Sequence, residues 1–142
     1  MKIFIICTVR SASAEYKKKL YDYVADLESK GHTVHLPPRD TNQEANGIDI
    51  CKENATAIYD SNEVHVFYNS ISQGTHFDMG VAFAFGKRIT IIENEEITMG
   101  KSFPRMLAEW ETTSNSRYPW GFFDFNPDVK RLKNLTNPDF KE

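Results

Sequence analysis

Two short stretches of this chain hold the residue types from which chemistry is made. In SISQGTHFDMGVAFAFGK, residues 70–87, a polar, glycine-bearing turn runs into an apolar helix. One carboxylate, Asp78, falls in that helix's first turn. Ser72, Gly74 and the turn's backbone amides gather donors at a helix start, where the helix dipole favours an anion such as phosphate. In RSAS, residues 10–13, the guanidinium of Arg10 and the hydroxyls of Ser11 and Ser13 precede a second helix. Arg10 offers a fork that matches phosphate oxygens. Neither stretch carries the glycine–lysine signature of a P-loop or a GxGxxG fingerprint. Simpler readings stand beside these. Thr75-His76-Phe77-Asp78 fits a capping box, with Thr75 as the cap and the acid reaching back three residues. Ser11 or Ser13 can likewise cap its helix. Of the four histidines (His32, His35, His65, His76), only His76 falls in a candidate site, and it reads as a solvated side chain. The four form no metal-ligand spacing.

The elements that must position these residues alternate along the chain. Continuous apolar character predicts a strand over 2–8, of the kind covered on both faces. Helical spacing of Tyr16, Leu20, Tyr23, Val24 and Leu27 predicts a helix over 13–30, stopped by Gly31. HTVHL reads as a second strand, ended by Pro37-Pro38, and 39–47 as a polar loop long enough to carry a task. A helix over 49–61, a strand at EVHVFY, the helix of the opening stretch closed by Gly86, and a strand over 88–92 follow. A short helix over 103–111, a strand at GFFDF and a last helix over 128–135 complete the order. Such alternation implies right-handed crossovers and a parallel sheet between helices, with ligands bound beyond the carboxyl ends of the strands. The loops TVRSAS, PPRDTNQEANG and NSISQG are expected to meet there.

Composition narrows the partners. With 142 residues, 40% hydrophobic and 26% charged, the chain reads as one globular domain, 1–142. A net charge of −3 gives no general pull on a nucleic-acid polymer or an anionic membrane. The run Lys17-Lys18-Lys19 reads as the wet face of a helix. Cys7 and Cys51 lack ligand spacing and read as reduced, buried or half-buried thiols. The first residues carry too short an apolar run for a signal peptide, and no stretch has the length of a membrane span, so a cytoplasmic location is expected. No metal and no cofactor is implied.

The chain resembles the nucleoside 2-deoxyribosyltransferase superfamily, and within it the 2'-deoxynucleoside 5'-phosphate N-hydrolases and related nucleotide N-glycosidases. The likeness runs through IFIICTVRS, the helix start NATAI, then SQGTHFDMGVAFAFGKRI, and NSRY near the last strand. The third of these matches the family pattern S/D-x-G-x-x-x-E-x-G-x-A-x-A-x-x-K and is the specific one. The resemblance implies a flavodoxin-like (Rossmann-like) α/β three-layer sandwich with a five-stranded parallel sheet. It implies cleavage or exchange of the bond between a base and C1' of its sugar, through a carboxylate nucleophile that forms a glycosyl-enzyme. Asp78 stands at the nucleophile's position. Arg10, Ser72 and Ser116 stand where the nucleotide hydrolases bind a 5'-phosphate, Ser116 being donated by a second subunit. Phe4, Thr8, Ser11 and Gly74 join the substrate-binding set. A symmetric homodimer with shared sites is implied, with Trp110, Tyr118 or Trp120 near its interface.

Three positions depart from the family. Asp78 replaces the usual glutamate, Asn54 replaces a supporting aspartate, and Phe4 replaces a tyrosine that touches the site. The expectation is therefore a divergent nucleotide N-glycosidase acting on a nucleoside 5'-monophosphate, with Asp78 as nucleophile and Asn54 positioning sugar or water. A non-catalytic nucleotide-binding or sensor protein on the same fold, or a nucleoside 2-deoxyribosyltransferase, are the alternatives.

Overall fold

The computed structural model describes residues 1–114. Four strands, β1 (Lys2–Ile6), β2 (Thr33–His35), β3 (Glu63–Phe67) and β4 (Arg88–Glu93), form one parallel sheet in the order β2-β1-β3-β4. Helices α1 (Ala14–Ser29), α2 (Pro37–Asp40), α3 (Gly47–Asp60), α4 (Gln73–Ala84) and α5 (Phe103–Ser114) connect and follow them. GFFDF, read as the fifth strand, the helix over 128–135, Ser116, Tyr118 and Trp120 all lie outside the described residues.

The unbroken apolar run of β1 exists because both faces of the sheet are covered. Phe4 and Ile6 point into a cluster with Val64, Val66, Ile58, Met79, Ala82, Leu107 and Trp110, contributed by β3, α3, α4 and α5. Ile3, Ile5 and Cys7, of opposite parity, point into a second cluster with Leu20, Val24 and Leu27 of α1 and Val34 beside them. Trp110 is buried in the first cluster, edge-on to Phe83, with its indole N–H donated to the carbonyl of Lys87. It is a core residue and not an interface residue as expected, because α5 turns it inward.

Local chemistry sets the boundaries. Ser13 caps α1, its hydroxyl accepting from the backbone N–H of Tyr16 at 3.0 Å, and Gly31 follows the helix at φ 90°. The proline pair does more than end a strand. Pro37 and Pro38 open the short helix α2, where their fixed φ suits a first turn. Arg39 and Asp40 thus belong to a helix rather than a loop. Arg39 donates to Glu28, Asp40 and the Val34 carbonyl, tying α2 back to α1 and β2. The helix expected over 49–61 starts earlier, at Gly47, because Asn46 caps it through the Asp49 N–H. Lys87 joins the end of α3 to the approach of β4, donating to the carbonyls of Tyr59 and Ser61.

Candidate active site at the carboxyl ends of the strands

β1 and β3 are neighbours, yet the chain leaves β1 toward β2 on one side and β3 toward β4 on the other. Strand order reverses between them, and in sheets of this kind ligands bind beyond the strand ends at such a point. The loops over 7–13 and 68–72 flank it.

α4 begins one turn before the capping box requires. Ser72 is the N-cap, its hydroxyl accepting from the Thr75 N–H at 3.2 Å. Thr75 and Asp78 therefore lie inside the helix and share its buried face with Met79 and Ala82. The expectation that Thr75 caps and Asp78 reaches back is overturned: Asp78 sits in the second turn, where no orphan backbone donor remains. Its side chain turns instead toward α3. Asn54 and Ile58, four residues apart on α3, form that helix's buried face. The Asn54 amide nitrogen donates to Asp78, at 3.3 Å from Oδ2 and 3.5 Å from Oδ1. Asp78 is only 5% exposed and Asn54 8%. Burial pushes the Asp78 carboxyl up to about 7, against the opposing pull of the Asn54 hydrogen bond. At neutral pH the group is thus shared between its ionised and protonated forms. Such a carboxyl can act as a nucleophile or as a proton donor or acceptor.

Behind Asn54 stand two residues that no sequence motif marked. Thr41 donates its hydroxyl to Asn54 Oδ1 at 2.7 Å, and His35 Nε2 lies 2.8 Å from the same Thr41 oxygen. Phe4 has no exposed surface; its ring stacks on His35 at 5.2 Å and backs the imidazole rather than facing the site. Burial holds His35 below the ordinary histidine range, with Asp40 and Glu53 pulling the other way. Cys7, at the end of β1, is buried near Asp78. Burial, with a contribution from the Asp78 charge, pushes its thiol up to about 12, so it stays protonated.

The remaining predicted residues line the two loops. Arg10 is exposed at the turn after β1, and Ser11 follows with φ 59°, a left-handed conformation uncommon for a residue with a Cβ. Thr8 donates its N–H to the Tyr16 hydroxyl at 3.2 Å, while its own hydroxyl is buried without a partner. The Thr75 hydroxyl, one turn before Asp78, is buried in the same way. Gly74 is exposed, with nothing within 4 Å of where a Cβ would stand. Glu95 was also missed by sequence reasoning. It accepts from the backbone N–H and hydroxyl of Ser70 at 2.5 and 2.8 Å, pinning the turn that leads to Ser72. Nothing in the local pattern around Glu95 marks it, because the contact spans two loops. Among the described residues no cluster of three or more His, Cys, Asp or Glu could hold a metal ion, and no helix is long and apolar enough to cross a membrane.

The parallel sheet in this order, with helices on both of its faces, is a fold that solved structures of other proteins share. Three of them illustrate the likeness. The CMP N-glycosidase BcmB of Clostridium botulinum is 22% identical, with a TM-score of 0.54 over 94% of this chain and 99% of that one. A 2-deoxyribosyltransferase from Bacillus psychrosaccharolyticus is 18% identical (TM-score 0.56; 69% of this chain, 77% of that one). A 2-desoxiribosyltransferase from Leishmania mexicana is 20% identical (TM-score 0.52; 66% and 65%). No model of a known protein family matches the chain, and no curated protein matches it in sequence.

Proposed function

We propose that the chain is a nucleotide N-glycosidase, cleaving the base–sugar bond of a nucleoside 5'-monophosphate. One observation carries this reading: a buried carboxyl titrating near neutrality, Asp78, held by an amide at the strand-order reversal of a fold shared with a CMP N-glycosidase. Ionised Asp78 attacks C1', and the base departs with the electrons of the C1'–N bond. Water then hydrolyses the glycosyl ester, returning the carboxylate and releasing sugar phosphate. Asn54 keeps the carboxylate oxygens aligned. Arg10 and Ser11 bind phosphate beside Ser72, whose oxygen accepts from Thr75 and whose own proton is left to donate. Gly74 leaves room for the ligand above the helix start. Thr8, in the loop after β1, flanks the sugar. A homodimer completes each site with Ser116 of the second copy.

The test is a panel of nucleoside monophosphates, with release of free base followed by chromatography. Wild-type protein should release base from at least one, and Asp78→Asn should release none. Addition of a second free base separates hydrolysis from transfer, since a transferase would form a new nucleoside. The second reading, a nucleotide-binding protein without turnover, draws on Asn54 and Asp78 in place of the family's longer and more acidic pair. It requires tight binding of a monophosphate and no release of base from any.

A further inference from the structure

Asp78, Asn54, Thr41 and His35 come from α4, α3, the loop after α2 and β2, and they form one hydrogen-bonded chain. An asparagine amide has an oxygen end and a nitrogen end, and the two cannot be told apart by shape alone. The chain can therefore run in two directions. In one, His35 Nε2–H donates to Thr41, Thr41 donates to Asn54 Oδ1, and the Asn54 nitrogen donates to an ionised Asp78. In the other, protonated Asp78 donates to Asn54 Oδ1, the Asn54 nitrogen donates to Thr41, and Thr41 donates to a His35 whose proton sits on Nδ1. Both directions satisfy every link. They differ by one proton on Asp78, by the tautomer of His35 and by a half-turn of the Asn54 amide.

We infer that Thr41 and His35 are positioning residues, which set the direction of this chain and hold Asp78 in the form that accepts from Asn54. Thr41 is the pivot. It is 4% exposed, and its single oxygen can donate to one neighbour while accepting from the other, so it reverses without any rotation of the side chain. The stacked Phe4 ring fixes the plane of His35, so Nε2 stays aimed at Thr41. Few titratable groups face the chain: Cys7 from the end of β1 beside Asp78, and Asp40, Arg39 and Glu53 around His35. Cys7 stays protonated, and a substitution at Thr41 removes the hydrogen bond to His35 but leaves the charged groups around it, Asp40, Arg39 and Glu53, in place. A shift at Asp78 in such a variant then reports on the chain itself.

The catalytic part of this inference rests on the proposed N-glycosidase reading; the hydrogen-bond chain does not, and the experiment separates them. The Asp78 carboxyl is titrated by carbon-13 NMR in wild type, Thr41→Val and Thr41→Ser. Valine keeps the shape of threonine and removes its donor, so the amide loses the link that orients it and Asp78 should hold its proton about tenfold more tightly. Serine restores the hydroxyl and should return the midpoint to the wild-type value. Nitrogen-15 spectra of His35 should show the proton moving from Nε2 to Nδ1 as Asp78 is protonated. Under the proposed reading, Thr41→Val should also lower kcat about tenfold with KM little changed, and shift the acid limb of the rate profile by the same amount as the NMR midpoint. An unchanged Asp78 midpoint in folded Thr41→Val, or a His35 tautomer indifferent to Asp78, overturns the inference. If wild type proves to have no base-releasing activity, the NMR measurements still decide whether the chain exists.

Discussion

Asp78 and Arg10 raise opposite questions of solvent. Asp78 is buried, and its folded-state value of about 7 lies above the ordinary carboxyl value of 3.8. A carboxyl raised in this way binds its proton more tightly folded than unfolded. Its contribution to stability is complete below the unfolded value and is lost as pH rises toward 7. Each pH unit in that window removes about 1.4 kcal/mol, an upper bound for a group that relaxes on ionisation. Asp78→Asn removes this dependence. Thermal melts at pH 5 and pH 8 should show the variant gaining on wild type at the higher pH, while base release disappears at both. The same titration predicts that wild-type turnover rises through pH 7 as the nucleophile ionises. Activity that falls over that interval would make Asp78 a proton donor instead. Arg10 is exposed, so its role is ligand affinity and not folding. Arg10→Ala should remove any preference for monophosphate over nucleoside, costing about 1.5–3 kcal/mol by calorimetry with no change in melting temperature.

One helix end carries the site and another ties the fold together, and each can be tested as an element. Ser72 both caps α4 and faces the proposed phosphate. Ser72→Ala should cost about 1 kcal/mol of stability from the lost cap, together with a drop in monophosphate affinity. Ser72→Gly should spare most of the stability and show the same loss of affinity, which separates the two roles. At the far end of α3, Lys87 binds two carbonyls from a position where burial lowers its proton affinity. Lys87→Met should destabilise by about 1–3 kcal/mol, because two orphaned carbonyls lose a charged donor, while leaving the proton affinity of Asp78 unchanged. Restoring the family residues on the facing helices, Asn54→Asp with Asp78→Glu, is the complementary test. A gain in base release would show that the site still poses C1' against the carboxylate.

For the molecule as a whole, the proposed homodimer has a surface to use. Phe77 and Phe85 lie two turns apart on α4 and are 48% and 43% exposed. Tyr59 of α3, 64% exposed, meets Phe85 edge-on at 5.3 Å. A contiguous exposed apolar patch is where a second subunit would bind, and Tyr59 with Phe85 forms the contact at its centre in the proposed dimer. Light scattering at micromolar concentration should report a dimer, and Phe85→Glu should dissociate it without unfolding the chain. A wild-type monomer would leave Ser116 without its role in a neighbouring site.

Much of this arrangement was legible in the residues themselves. The two-sided first strand, read over 2–8 and found at 2–6, the stop at Gly31, a serine cap left open between Ser11 and Ser13, and the alternation that makes a parallel sheet are all local consequences of side-chain type and spacing. The candidate carboxylate was legible too, but its state was not. Ser72 and Thr75 stand three residues apart and each makes a good cap, so spacing alone favoured the wrong one. The structure uses Ser72 because α4 buries Thr75, Asp78, Met79 and Ala82 together against its neighbours. The links His35–Thr41, Thr41–Asn54 and Asn54–Asp78 span 6, 13 and 24 residues. No periodicity marks contacts of that kind. Over the described residues, the sequence by itself determined the alternation of strands and helices, apart from α2, and the carboxylate that α4 carries. Tertiary packing decided that Asp78 is buried, paired and titrates near neutrality, because desolvation and hydrogen bonding act through space and only the folded chain brings those groups together.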